Sequence, residues 1–234
     1  LLQNAVDDGA NKVVVKSSHG SHSHIPEGIL FCHNGRRFTP LDVLGLASVG
    51  LSTKGSSGEK RKIGFMGVGF KAVYKRYARV VVCDNTWSFC FDEPATSPTM
   101  EPTHSWVLKP QWVHSSELNS LKQEVSKAMS HDSAARGWCS FFLQRPRGGM
   151  HAVKSDLAGL STTVPVLLGR QAFNSTNAKE WTLHYQDDFY RVCDHVVSPI
   201  SETFTACKTP VCSEWKSSYA DTVRLEHEKQ SHVV

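Results

Sequence analysis

Three glycines spaced G-x-x-G-x-G, Gly64, Gly67 and Gly69, lead into Phe70 and the apolar, helix-compatible segment 71–74. Such a run is suited to holding phosphate. Glycine opens backbone angles closed to other residues and lets a ligand approach the main chain, while a helix starting there aims free N–H groups at an anion. The order of the glycines disfavours two familiar nucleotide binders. A dinucleotide fingerprint reads G-x-G-x-x-G after a buried strand, and a P-loop ends in Gly-Lys-Ser/Thr; here residues 54–62 form a polar stretch. Further chemistry-bearing residues sit at the chain's start, where Asn4, Asp7 and Asp8 share one helical face by their spacing and offer oxygens. His19, His22 and His24 crowd a Ser/Gly-rich stretch without another obvious ligand, which reads as a solvated loop rather than a metal site.

The elements that position these residues can be read from pattern. Leu1, Leu2 and Ala5 form the packing face of the first helix, which Gly9 ends. Residues 13–15 and 29–32 read as buried strands, the second leading into the turn His33-Asn34-Gly35-Arg36-Arg37-Phe38. Thr39-Pro40-Leu41-Asp42 starts a helix of about three turns, with a capping hydroxyl, proline in the first turn and an acid at its end. Residues 50–62, rich in Ser, Gly and Lys, read as a mobile segment ending at the glycine run. Strands follow at 79–83 and 87–91 around an Asp84-Asn85 hairpin turn, then a surface loop over 92–104, a helix over 117–129 and a strand over 138–143. Residues 160–168 suit an edge or bulged strand because of Pro165, and alternation over 181–185 and 189–197 predicts more strands.

Composition bounds the function. The chain has 234 residues, 40% hydrophobic and 21% charged, enough for one large domain or a domain with a small second lobe. A formal net charge of +4, dispersed except at 60–62, demands neither nucleic acid nor a membrane surface. Seven scattered cysteines without a C-x-x-C pair read as reduced, mostly buried thiols of an intracellular protein, cytoplasmic or nuclear. The start at Leu1, in mid-helix, is expected of a piece of a longer protein.

The Asn/Asp helix face, the turn after the second strand and the glycine run after a polar segment together resemble the GHKL superfamily of ATPases. The likeness is nearest to the sacsin and no-vein type, whose Q-N-A-x-D, N-x-x-F-T, S-T-K and G-F-x-G-x-G-F-K-x-V-Y texture is similar to residues 3–7, 34–39, 52–54 and 64–74. It covers residues 1–90 and thins beyond them. The resemblance implies a two-layer α/β sandwich of the Bergerat type, helices on one face of a mixed β-sheet. An ATP-binding domain would span 1–170 and a strand-rich extension 171–234, a candidate start of a second lobe.

It also implies roles. Asn4 would bind Mg²⁺ through its amide oxygen, with Asp7 and Asp8 near the nucleotide. Where much of the superfamily has an adenine-binding aspartate this chain has His33, and the neighbouring Asn34 amide can both accept from and donate to a base edge. Gly35 keeps the turn; Arg36 and Arg37 either meet phosphate or face solvent. Lys54 would reach a phosphate from the lid. Gly64, Gly67, Val68 and Gly69 would form the phosphate turn and Phe70 its hydrophobic underside, with Thr162 supporting adenine recognition. The glutamate that activates water in hydrolysing members would precede Leu1, so no catalytic residue is named. The implied function is ATP–Mg²⁺ binding in a larger chaperone-like or regulatory ATPase, partnered by its other domains; the alternative is a non-hydrolysing nucleotide sensor or degenerate scaffold.

Overall fold

The structure, a computed structural model, describes residues 1–18, 26–48, 69–94, 104–128, 137–149, 151, 153–154, 157, 180–185, 188–193 and 196–200. Helix α1 (Leu2–Asp7) leads into β1 (Lys12–Ser18) and β2 (Gly28–His33), and α2 (Pro40–Leu46) follows. A 3-10 helix (Phe70–Lys75) precedes the hairpin β3 (Tyr77–Cys83) and β4 (Ser88–Asp92). A second 3-10 helix (His104–Leu108), β5 (Gln111–Trp112), α3 (Ser115–Ala128) and β6 (Cys139–Pro146) come next. The chain then runs through β7 (Glu180–Tyr185), β8 (Asp188–Cys193) and β9 (Val196–Ile200). The strands form one nine-stranded sheet in the order β5-β4-β3-β6-β2-β1-β7-β8-β9. Every pairing is antiparallel except β1 with β7, so the sheet is mixed and the fold α/β.

Local chemistry explains the hairpin. The Asp84 carboxylate, 6% exposed, accepts from the main-chain N–H groups of Thr86 and Trp87, both at 2.6 Å, and so closes the turn between β3 and β4. Its other oxygen accepts from Phe38 N at 3.1 Å, tying the hairpin to the chain entering α2. The capping hydroxyl expected at α2 forms, and its acid closes it into a reciprocal capping box: Thr39 Oγ1 accepts from Asp42 N and the Asp42 carboxylate accepts from Thr39 N. The helix is shorter than the three turns expected and buries no residue; Leu41 and Leu44 are exposed.

The sheet has two apolar faces because side chains alternate along each strand. Val13, Ile29, Phe31, Val80, Val82, Phe89, Phe91 and Phe141 point to one face, where Ala5 and Val6 of α1 and Phe70 and Tyr74 pack. Val14, Leu30, Cys32, Val81, Cys83, Cys90 and Phe142 point to the other, where Leu121 and Ala128 of α3 cover them. This corrects the expectation of helices on one face only. Helix α3 has its apolar residues Leu118, Leu121, Val125 and Ala128 at helical spacing, and the strands beneath are buried on both sides, so a second layer is needed to keep them dry.

Residues 180–200, set apart in sequence as a strand-rich extension, continue the same sheet. Trp181 is fully buried and its indole Nε1 donates to Ala10 O at 2.9 Å, while Thr182 N donates to Asn11 O at 2.7 Å. These bonds dock β7 on the junction between α1 and β1. Strands β7–β9 thus belong to the same sheet as β1–β6. The expected strand over 160–168 and the histidines at 19, 22 and 24 lie outside the described residues.

Two measurements check this architecture. Leu121→Ala removes a fully buried side chain, and urea unfolding should show a loss of about 2–5 kcal/mol. The thiols of Cys32 and Cys139 are pushed up to about 12, and that of Cys83 to about 11, foremost by burial, from an ordinary value of 9.0. The folded state thus holds thiol protons that the unfolded chain releases. Stability is full below the unfolded thiol value and falls as pH rises through the folded ones. The urea midpoint should decline from about pH 9 up to about pH 12, and replacing the three cysteines with alanine should flatten that decline.

Candidate functional site

Helix α1 ends in a tight, fully bonded turn. Gly9 takes a left-handed φ of +77°, its N–H donates to Val6 O at 3.0 Å, and Ala10 N donates to Ala5 O at 2.9 Å. That pairing is the Schellman arrangement, which satisfies the carbonyls a helix end otherwise leaves open. Ala5 and Val6 face the core, and Asn4, Asp7 and Asp8 are half-buried on the same two turns. The oxygens expected on α1 are therefore at hand beside the core.

The turn after β2 docks against this helix end. A Cβ on Gly35 would lie 3.0 Å from Asp8 O, 3.2 Å from Ala10 N and 2.9 Å from His33 Nδ1, so only glycine lets the strands of chain approach this closely. Arg36 N donates to Asp8 O at 2.8 Å. The Arg36 guanidinium grips Asp42 through Nη1 at 2.7 Å and Nη2 at 3.1 Å, and reaches Asp8 at 3.5 Å. Arg36 thus links the end of α1 to the start of α2, and these two carboxylates hold its charge. His33 is 2% exposed; its Nδ1 accepts from Gly35 N at 3.2 Å, placing the proton of the neutral ring on Nε2, and its ring stacks on Phe141.

Asn34 performs structural work that its sequence context did not reveal. Its Oδ1 accepts from the main-chain N–H groups of Asn11 at 3.0 Å and Lys12 at 2.9 Å, and its Nδ2 donates to Asn11 Oδ1 at 2.6 Å. One amide N–H remains for any further partner. The adenine-reading role expected of Asn34 would have to be carried by that single donor.

The end of the glycine run reaches the same neighbourhood. Phe70 packs on Phe141 with ring centroids 5.8 Å apart, and Phe141 also touches His33 at 6.0 Å and Phe38 at 5.8 Å. One buried aromatic ring thus joins the residue closing the glycine run to the turn seated on α1. Lys71 Nζ donates to Leu46 O at 2.8 Å, bringing the end of α2 to the same 3-10 helix. Of the residues singled out in sequence, Asn4, Asp7, Asp8, Asn34, Gly35, Gly69 and Phe70 are described; Lys54, Gly64, Gly67, Val68 and Thr162 lie outside the described residues. Asp84 closes the hairpin turn that the sequence predicts there, whereas Lys71 is a positioning residue whose bond to Leu46 the sequence pattern left unassigned.

Two open clefts, about 490 and 470 Å³, lie away from this region, around Asp92 and Arg145 at the ends of β4 and β6. Their charged walls are largely paired among themselves. Arg79 bonds Asp92 at 3.0 Å and Glu117 at 2.9 Å, Arg145 meets Asp92, and Arg147 bonds Glu93 at 2.9 Å. Volume alone therefore does not outweigh the convergence at α1. Among the described residues, no group of three or more His, Cys, Asp or Glu side chains gathers as a metal site, and no helix is long and apolar enough to cross a membrane.

The docked turn makes a clear demand on stability. Asn34→Ala leaves the N–H groups of Asn11 and Lys12 without their acceptor, and chemical unfolding should show a loss of about 1–3 kcal/mol. Comparison with known proteins finds no family model that matches the chain and no curated protein that matches it.

Proposed function

We propose that this chain is an ATP–Mg²⁺-binding domain of the Bergerat type, with α3 added on the second face of its sheet, and that it drives conformational work in a larger chaperone-like or regulatory ATPase. The observation that carries the reading is the meeting of α1, the 33–36 turn and Phe70 on one face of the sheet, through Gly35 on Asp8 and Phe70 on Phe141. Three segments distant in sequence are thereby brought to one place, as a triphosphate site requires.

The donor set suits magnesium. Asn4, Asp7 and Asp8 supply hard oxygens from half-buried positions on one short helix, and Mg²⁺ takes few ligands from protein while keeping waters and phosphate oxygens. When bound, the ion neutralises triphosphate charge. Asn4 would hold it through its amide oxygen, Asp7 and Asp8 would orient its waters, and the backbone around Gly64, Gly67, Val68 and Gly69 would meet the phosphates. Lys54, on the Ser/Gly/Lys segment assigned as the nucleotide-dependent lid, would add a point charge, and Thr162 would support the base. The setting we assign is intracellular, on the strength of four buried free thiols, Cys32, Cys83, Cys90 and Cys139.

A second reading, a non-hydrolysing nucleotide sensor or scaffold, draws on the engagement of the Asn34 amide within the fold, which leaves little of it for reading a base. Calorimetric titration of ATP separates the cases at the binding level. Wild type should bind ATP more tightly with Mg²⁺ than without, and Asn4→Ala should lose that difference, roughly ten- to hundredfold in affinity. Heat of binding that ignores both magnesium and the substitution would refute the assignment.

A further inference from the structure

Arg145 and Asp92 line both clefts at the ends of β4 and β6. Arg145 is also singular in its backbone. Its φ of +50° is left-handed, the one such value at a non-glycine residue among the described residues, and the Pro146 that follows disfavours it further by pressing position 145 toward an extended conformation. Outliers of this kind persist where surrounding structure enforces them, and they cluster at ligand sites. Alternation along β6 assigns position 145 to the face of Phe141 and Leu143, yet the guanidinium bonds Asp92, whose carboxylate also holds Arg79 beside Glu117 of α3. The side chain thus serves both sides of the sheet. Trp106, packed on Tyr74 in the core beside α1, lines one of its clefts, and Glu117 lines the other.

Among the described residues, the hydrogen bonds of Arg145 run through one nitrogen: Nη2 donates to Asp92, to Ala78 O at 3.2 Å and to Glu93 O at 3.3 Å. Nε and Nη1, with three N–H groups between them, take no part. The nearby acids are already committed. Arg79 and Arg145 hold Asp92, Arg147 holds Glu93 and Arg79 holds Glu117, so that with Lys109 in the cleft wall four cations face three carboxylates. Buried amide and indole donors add to the surplus. Gln144 Oε1 accepts from Arg79 at 2.5 Å, while Gln144 Nε2 and Trp106 Nε1 are buried without a partner among the described residues. Burial, and then the charges of Arg79 and Arg147, lower the proton affinity of Arg145, so its cation is under-compensated where it stands.

We propose that Arg145 anchors a binding site, between the two clefts, for a small ligand bearing an oxyanion, a carboxylate or a phosphate group. Nε and Nη1 donate to the anion, Lys109 adds a point charge from the wall beside Trp106, and Asp92 keeps its bond to Nη2 and so steadies the guanidinium. Clefts of about 490 and 470 Å³ suit the body of such a molecule. The site is separate from α1 and the 33–36 turn, and it does not draw on the nucleotide reading.

The test uses the full chain at physiological ionic strength, with inorganic phosphate and succinate as separate calorimetric probes that distinguish a phosphate from a carboxylate ligand. The Trp106 indole N–H signal in nuclear magnetic resonance gives a second readout. At least one probe should bind wild type and shift that signal. Arg145→Gln should weaken the bound probe roughly tenfold or more, whereas Arg147→Gln, which removes an equal charge from outside the cleft walls, should change affinity by about twofold at most. Should near-ultraviolet circular dichroism show Arg145→Gln misfolded, Arg145→Gly, which suits the left-handed backbone, carries the same expectation. Binding of neither probe would overturn the proposal, as would binding indifferent to the loss of Arg145. An equal loss in Arg145→Gln and Arg147→Gln would reveal diffuse attraction of anions in place of a site, and would overturn it too.

Discussion

The seating of the 33–36 turn on the end of α1 is the constraint from which the rest of this molecule follows. Gly35 brings the chain within 3.0 Å of Asp8 O for a Cβ it does not have, Arg36 N bonds that same carbonyl, and Asn34 bonds the first residues of β1. Those contacts settle the angle at which α1 meets the sheet and the register in which β1 leaves it. They also decide where Asn4 and Asp8 stand relative to the chain that runs on into α2. A side chain at position 35 would push the end of α1 away from the turn.

Beneath this junction, the sheet supplies rigidity from both sides. The central strands β3, β6, β2 and β1 are buried on two faces, and each fully buried Val or Phe contributes about 1.5–3 kcal/mol. Val82, its partner across the strands, and Val80 and Phe91, buried in the same cluster with no exposed surface, hold Phe141 in place. Phe141 in turn carries His33, Phe38 and Phe70. By contrast, α2 buries no residue fully: Val43 and Leu46 pack half-buried on the core, while Arg36 on Asp42, the capping box and Lys71 on Leu46 hold its ends through contacts that respond to charge. A stiff platform and a lightly held helix meet at the candidate site, a division that suits ligand-responsive movement.

Much of the fold was legible in the sequence. The alternation and β-branched runs of 13–15, 29–32 and 79–83 predict strands that form; Thr39-Pro40-Leu41-Asp42 starts a helix, and Gly9 ends one. What pattern could not reveal was relative placement. The spacing of Leu118, Leu121 and Val125 says that α3 buries a stripe, but not against which face of a sheet that is apolar on both. The parallel pairing of β7 with β1 joins residues about 170 positions apart and leaves no local trace. For the site, residue type was informative and partner was not: an amide such as Asn34 can read a base or bind main-chain N–H groups equally well, and only the turn geometry distinguishes them.

The central claim is that a metal-bound triphosphate rests against the face where α1 and the end of the glycine run come together. Paramagnetic relaxation tests it most directly: with Mn²⁺ substituted for Mg²⁺ in the ATP complex, amide signals broaden steeply with proximity to the ion. The account predicts the strongest broadening at Asn4, Asp8, Gly35, Gly69 and Phe70, with α3 unaffected. Broadening centred on Ser116, Arg79 and Arg145, with the signals of α1 left sharp, would contradict it.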